Sequence, residues 1–327
     1  MRKVELLTPS IDSLRNKQDQ EVSERKLPSS VDFMLLGTCE LRCAFCYGPQ
    51  HEIGAMDTET VKSVLQNLSV NGVERVVFTG GEPTLIRDLD EILYEAKSQN
   101  LTTVLSSNGL RLARNRNLLD RIAPYLDWIG LPLDGDTPQA NALMRVGLGQ
   151  NAEERHFFSV ISLIQRIQTE YPELKIKLGT VVAKPNLDHV EDIPFTLAKF
   201  DTIPDTWKLY QVSPSEYGKL NYKGLRVGDD EFEQVFHKSL RNAEAVGIPN
   251  VTKYSNATRP GKYLFIDPAG EALIVSQQNN DYHSIGNFVR NPEDVITNWR
   301  GFVDSGLLVQ NFEDTYPKPK TRRSKSS

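Results

Sequence analysis

Three cysteines stand within eight residues, Cys39-Glu-Leu-Arg-Cys43-Ala-Phe-Cys46, and the chain contains no others. Thiolates at this CxxxCxxC spacing are soft donors suited to iron-sulfur or zinc chemistry. They provide three of the four ligands that a cubane 4Fe-4S cluster needs, which leaves one iron open to a ligand that is not protein. The alternative is a zinc site of three cysteines and one histidine, completed by His51 beyond Cys46. A disulfide framework does not fit so few and so clustered thiols, and a reducing compartment does.

Other chemistry-bearing residues follow in short turns. Thr79-Gly80-Gly81-Glu82-Pro83 offers two glycines that let backbone approach a ligand without a Cβ in the way, and a carboxylate able to pair with an ammonium group. In Ser106-Ser107-Asn108-Gly109 a hydroxyl and an amide stand ready to hydrogen-bond a ligand, although an Asn-Gly turn is equally consistent with that composition. Asp134, in Leu131-Pro-Leu-Asp134-Gly135, either contacts a ligand or caps the next turn. Arg145, in Met144-Arg145-Val-Gly147-Leu-Gly149, either reaches a carboxylate or phosphate or is simply solvated. Lys177 and Lys208 fall on inward positions if the strand alternation holds; an inward lysine needs a counter-ion, which points to a phosphate or carboxylate on the substrate. A register one residue off would turn both outward.

These residues need elements to hold them, and the pattern supplies them. An apolar run from Val31 to Leu36 is followed by helical spacing over Asp57 to Leu68 and a strand over Arg75 to Thr79 that breaks at Gly80-Gly81. The unit recurs: helices over Asp88–Ser98, Ala113–Ile122, Glu154–Thr169 and Val190–Phe200, strands over Thr102–Ser106, Trp128–Leu133, Lys175–Val182 and Trp207–Val212. Six β/α repeats imply an α/β fold with a parallel sheet and right-handed crossovers, a partial (β/α)6 barrel of TIM type spanning 29–215. The motifs that mark a site fall just after predicted strands, on the face where such barrels do chemistry.

A polar, charged arm is expected over 1–28, and a basic flexible tail over 315–327 that includes Lys318-Pro-Lys-Thr-Arg-Arg-Ser-Lys. Between them, 216–314 reads as an α+β extension capping the barrel: a helix over Gly228–Ala245, two short strands around Asp267-Pro-Ala-Gly270, and a helix over Pro292–Phe302. The 327 residues are 39% hydrophobic and 25% charged with a net charge of -5, so nothing global suggests nucleic-acid or membrane partners. The sequence has no apolar run of the ~20 residues a membrane helix requires, and the expected location is the cytoplasm.

The loop CxxxCxxC with Phe45 before its third cysteine, paired with Gly80-Gly81-Glu82-Pro83 one unit later, resembles the radical S-adenosylmethionine (SAM) superfamily. The resemblance implies a 4Fe-4S cluster on Cys39, Cys43 and Cys46 whose open iron chelates SAM. Electron transfer to SAM then yields a 5'-deoxyadenosyl radical that takes a hydrogen atom from the substrate. It further implies that Glu82 meets the SAM amino group, that Ser107, Asn108 and Asp134 contact its carboxylate or ribose, and that Tyr47 packs beside the cluster. An electron donor such as flavodoxin or ferredoxin is the implied protein partner.

Several segments are similar to the viperin-like nucleotide dehydratases: the Ser-Asn-Gly turn, the loop at Arg145, Trp207-Lys208-Leu-Tyr-Gln211, and Gly228-Asp-Asp-Glu-Phe-Glu followed by Tyr263-Leu. That likeness makes Lys177, Lys208 and Arg145 the candidates for the catalytic, substrate-facing positions. Gly179 and Thr206 depart from it, standing where polar and basic side chains are expected. Ile266-Asp-Pro-Ala-Gly-Glu and Ser284-Ile-Gly-Asn-Phe resemble the extension that carries auxiliary clusters in peptide- and sugar-modifying relatives, yet the chain has no further cysteine there, so one cluster is expected. Enzymes of sugar, nucleoside-antibiotic or peptide natural-product biosynthesis are the alternative within the family. A zinc-stabilised binding module or scaffold is the alternative outside it.

Overall fold

The computed structural model of the chain describes residues 26–47, 54–147, 152–213, 217–258, 263–275 and 281–308. His51, Gly149, most of the N-terminal arm and the basic run from Lys318 lie outside the described residues.

Strand and helix alternate from β1 (Ser30–Met34) through α1 (Thr58–Val70), β2 (Arg75–Thr79), α2 (Leu89–Ser98) and β3 (Thr102–Ser106). The stretch expected as one helix over Ala113–Ile122 is two, α3 (Leu110–Arg114) and α4 (Arg116–Ile122). Asn115 breaks it: its backbone leaves helical geometry at φ -116° and ψ 90°, and its side chain caps the second helix by accepting from Leu118 N. Then come β4 (Trp128–Pro132), α5 (Pro138–Ala142), α6 (Ala152–Glu170), β5 (Lys175–Val182), α7 (Ile193–Lys199) and β6 (Thr206–Gln211). The remainder is α8 (Tyr217–Leu225), α9 (Asp229–Val246), β7 (Val251–Tyr254), β8 (Leu264–Ile266), β9 (Glu271–Val275), β10 (Tyr282–Asn287) and α10 (Pro292–Asp304).

Among the described residues ten strands form one sheet, in the order β10-β9-β8-β1-β2-β3-β4-β5-β6-β7. Six parallel strands were the expectation, and the structure widens that to eight. β7 pairs parallel with β6, and β8 pairs parallel with β1, so the segment after residue 216 adds a strand to each end of the parallel stretch. β8 is the first of the two short strands expected around Asp267–Gly270, whereas β7, four residues long, has no periodic signal in the sequence. Where the two ends meet, the rings of Tyr254 and Tyr263 lie 5.2 Å apart, edge to face. β8, β9 and β10 continue as an antiparallel meander outside this seam.

Strand alternation divides the molecule. On β1, Val31 and Phe33 point out and join the main core under the helices, where α1 sends Val61, Val64, Leu65 and Leu68 from one face. Burying a side chain of this size removes it from water at a gain of about 1.5–3 kcal/mol, which fixes the parity of the strand. The intervening Asp32 therefore faces the interior of the barrel. On β2, β3 and β4 the inward Val77, Val104 and Trp128 form a small separate cluster. They are level with Asp32 by strand register and make the floor of the interior. Among the described residues no helix is long and apolar enough to cross a membrane.

Candidate active site at the mouth of the barrel

Cys39, Cys43 and Cys46 sit on the loop that leaves β1, and none of the three is in a disulfide. The loop is held from two sides. Leu35 N donates to Thr79 O at 2.9 Å, Gly81 N to Leu36 O at 2.6 Å and Glu82 N to Thr38 O at 2.8 Å, so the end of β2 is stitched to the backbone just before Cys39. On the other side Arg42 N donates to Val146 O at 2.8 Å. The glycines earn their place in this seam: a Cβ on Gly81 would lie 2.0 Å from the carbonyl oxygen of Thr38, and one on Gly80, whose φ is +126°, 2.4 Å from that of Leu36. Both also line the cavity, so the close approach expected of them is first to the cysteine loop itself.

Leu41 N lies 3.4 Å and Asn108 Nδ2 3.8 Å from Cys39 Sγ, and Arg145 Nη1 4.0 Å from Cys43 Sγ. Donors aimed at sulfur are what tunes a thiolate-bound metal centre. Burial, opposed mainly by the donor from Leu41 at Cys39 and by the charge of Arg145 at Cys43, pushes both thiols up to about 11. Only a cationic metal centre would hold them as thiolates at neutral pH. Among the described residues no three His, Cys, Asp or Glu side chains converge tightly enough to hold a single metal ion. The set of three soft thiolate donors fits a 4Fe-4S cluster.

Behind the loop, the structure gives the expected ligand-contact residues distinct placements. Glu82 is fully buried: Oε1 accepts from Thr84 N, Thr84 Oγ1 and Ser107 Oγ, and Oε2 accepts from Asn108 N at 2.7 Å. Burial raises its pKa and these donors oppose the rise. Through these bonds Glu82 orders the turn at Ser107 and Asn108, which line the cavity. Asn108 Oδ1 caps Leu110 N at 2.8 Å, and Gly109 takes the left-handed conformation, φ +81°, that the turn requires.

Asp134 is also fully buried and is not among the residues that line the cavity. Its Oδ1 accepts from Val181 N at 2.7 Å and its Oδ2 from Arg145 Nε. Arg145 is thereby fixed in the cavity wall, with its guanidinium 4.9 Å from the centre of the Phe45 ring. It is not a solvated arginine. Tyr47 reaches the cavity edge, its hydroxyl 3.3 Å from Thr79 Oγ1.

The cavity, about 270 Å³, runs from the thiols across the barrel interior to Lys177 and Lys208. Both lysines point inward, as the alternation predicts. Lys177 Nζ donates to Tyr210 Oη at 3.0 Å, and Lys208 Nζ to Tyr263 Oη at 3.3 Å while lying 4.9 Å and 5.2 Å over the rings of Tyr254 and Tyr210. Tyr210, Tyr254, Tyr263 and Phe265 make an aromatic wall on this side, with Tyr263 and Phe265 stacked at 5.6 Å. Gly130 leaves room for the Lys177 stem, 3.3 Å from where its Cβ would be. Sequence reading missed this wall, and it missed Asp32, which lines the cavity from β1. Asp32 is held up at about 6 because burial outweighs the charges of Lys177, Lys208 and Arg75. A single carboxylate between Val31 and Phe33 is the signal that was available: a charge set into an apolar strand on the inward parity.

A parallel α/β barrel with three thiols at the C-terminal ends of its strands defines a metal-dependent barrel enzyme, and the comparisons give the class. The family model of the radical SAM superfamily matches residues 34–157. This segment is a radical SAM domain. An S-adenosylmethionine-dependent nucleotide dehydratase of Flammeovirga pacifica is 28% identical over 270 residues, 80% of this chain and 87% of that one. Another, of Lacinutrix mariniflava, is 29% identical over 79% of this chain, which spans 52% of the relative's length. The crystal structure of Streptococcus suis SuiB bound to S-adenosylmethionine superposes with a TM-score of 0.66 at 14% identity, over 91% of this chain and 74% of that one, a likeness of fold.

Proposed function

We propose that this chain is a radical SAM enzyme that acts on a nucleotide, with removal of water from a nucleoside triphosphate as the reaction. The observation that carries this reading is that one cavity joins the thiols of Cys39, Cys43 and Cys46 to the ammonium groups of Lys177 and Lys208. The names of the relatives support the substrate class. When bound, a cluster and SAM supply a 5'-deoxyadenosyl radical that takes a hydrogen atom from the substrate.

The chain's own residues do the rest. Cys39, Cys43 and Cys46 hold the cluster, and the backbone at Gly80 and Gly81, with Ser107 and Asn108, lines the adjoining SAM region. Arg145, aimed by Asp134, places a fixed positive charge beside Cys43. Lys177 and Lys208 bind phosphate oxygens, exchanging tyrosine hydroxyls for charged partners. Tyr210, Tyr254 and Tyr263 offer ring faces to the base and exclude water from the reacting carbon. A small flavin or iron-sulfur protein such as flavodoxin or ferredoxin delivers electrons, in a reducing cytoplasm in which the three cysteines form no disulfide.

The test uses anaerobically purified protein with its cluster, a reductant, SAM and each common ribonucleoside triphosphate in turn. One nucleotide should raise 5'-deoxyadenosine release well above the substrate-free rate and return a product lighter by one water. A full cluster that cleaves SAM equally with and without every nucleotide sinks the reading.

A further inference from the structure

Asp32 has no place in the chemistry described so far. It stands on the inward face of β1, level with Val77 on β2 and Phe265 on β8, in the cavity that Lys177 and Lys208 enter from the opposite wall. It is part of the cavity lining and retains some accessible surface there. A carboxylate there is a poor choice for a chamber that receives phosphate, because two like charges a few ångströms apart in a dry site cannot both persist. Either the anion stays out or the carboxylate loses its charge.

We propose that Asp32 couples substrate binding to proton uptake: as an anionic substrate takes the ammonium groups of Lys177 and Lys208, the Asp32 carboxylate accepts one proton and remains in the complex as a neutral carboxyl group. The inference rests on the anionic-substrate reading above and deepens it.

The groups facing Asp32 are Arg75 on β2, Lys177 on β5, Lys208 and Tyr210 on β6, and Tyr47 from the cysteine loop. Of the three cations that favour its ionised form, Lys177 and Lys208 act more strongly than Arg75. Both are the groups a phosphate would occupy. Binding therefore removes the larger part of what keeps Asp32 charged and adds a negative charge beside it, and each change favours the protonated form. In the free protein the carboxyl titrates at about 6, so near pH 7 it is mostly ionised and has a proton to gain. The sign follows: affinity for the anion rises as pH falls toward 6, where the proton is already in place, and weakens above it. The proton comes from solvent, and no bond other than O–H forms.

The measurement is isothermal titration calorimetry on the cluster-loaded protein with SAM present, in two buffers of different ionisation enthalpy at pH 7. The probes are inorganic tripolyphosphate and CTP. Wild-type protein should take up roughly half a proton or more per ligand beyond Asp32→Asn, because the ligand's own titration is common to both proteins. The variant's affinity for tripolyphosphate should also lose the wild type's fall of up to about tenfold per pH unit between pH 6 and 8. Equal proton counts in the two proteins overturn the proposal. Should Asp32→Asn fail to load its cluster, the same comparison is made with Asp32→Ser, and equal counts there overturn the proposal. Uptake with tripolyphosphate but no binding of any nucleotide upholds Asp32's role and removes the nucleotide reading. No binding of either probe at any pH overturns both.

Discussion

Glu82 illustrates how a residue can matter to a cofactor site without facing it. Four hydrogen bonds converge on its two oxygens, three on Oε1 and one on Oε2, and no part of it is exposed. Glu82→Gln keeps the volume but must present an amide NH2 to at least one of these donors. A buried donor set against another donor costs about 1–3 kcal/mol. The expected outcome is a melting temperature lower by roughly 3–10 °C and weaker SAM binding, with iron and sulfide per chain unchanged because no cysteine contact is lost. Unchanged SAM affinity in a destabilised variant would show that the turn at Ser107 and Asn108 does not serve the ligand. At this scale the legible residues were those whose signal is local. Three cysteines in eight positions need no fold to be noticed. Glu82 and Asp134 were noticed too, but their side-chain direction depends on partners 25 and 47 residues away, at Ser107 and Val181, which no local pattern encodes. Asp32 was hidden for the opposite reason, inside a run whose apolar neighbours spoke louder.

At the scale of elements, the decisive contact is backbone against backbone, between the end of β2 and the start of the cysteine loop. Gly81 makes that approach possible, with the Thr38 carbonyl where a Cβ would need to be. Gly81→Ala therefore forces the loop away from β2 by more than an ångström, since neither side is a flexible side chain that could yield. The strands themselves are held by their ladders and by the outer core, so the barrel should persist. Far-UV circular dichroism is expected to match wild type, while iron content and visible absorbance after reconstitution drop to a small fraction. A variant that loads a full cluster would mean that Gly81 serves only the ligand side of the turn. Strands and long helices were readable because their periods run over several residues, as in α1 and β5. The split at Asn115 was not, because a single side chain recapping the chain interrupts a helical pattern without changing its composition.

On the scale of the whole molecule, the question is whether the parallel strands act as an open sheet or as a closed chamber. Eight of them run from β8 round to β7, although β8 (from Leu264) lies far beyond β1 (to Met34) in the chain and joins it side by side. Such long-range pairing is what sequence period cannot convey. The ends of this stretch meet through side chains at Tyr254 and Tyr263, and Lys208 ties the two together by lying over one ring and donating to the hydroxyl of the other. If that seam closes the chamber, the two tyrosines must be energetically coupled. The test is a double-mutant cycle of Tyr254→Leu and Tyr263→Leu, read by equilibrium denaturation. Edge-to-face rings sharing a cation should give an interaction energy of about 0.5–1.5 kcal/mol, with the pair of substitutions less destabilising than the sum of the singles. Tyr263→Phe, which keeps the ring and removes only the hydroxyl that accepts from Lys208, should retain most of that coupling. Additivity within about 0.3 kcal/mol would mean that β7 and β8 stand independently and that the barrel is open along this edge. The aromatic wall would then be a surface and not the far side of an enclosed site.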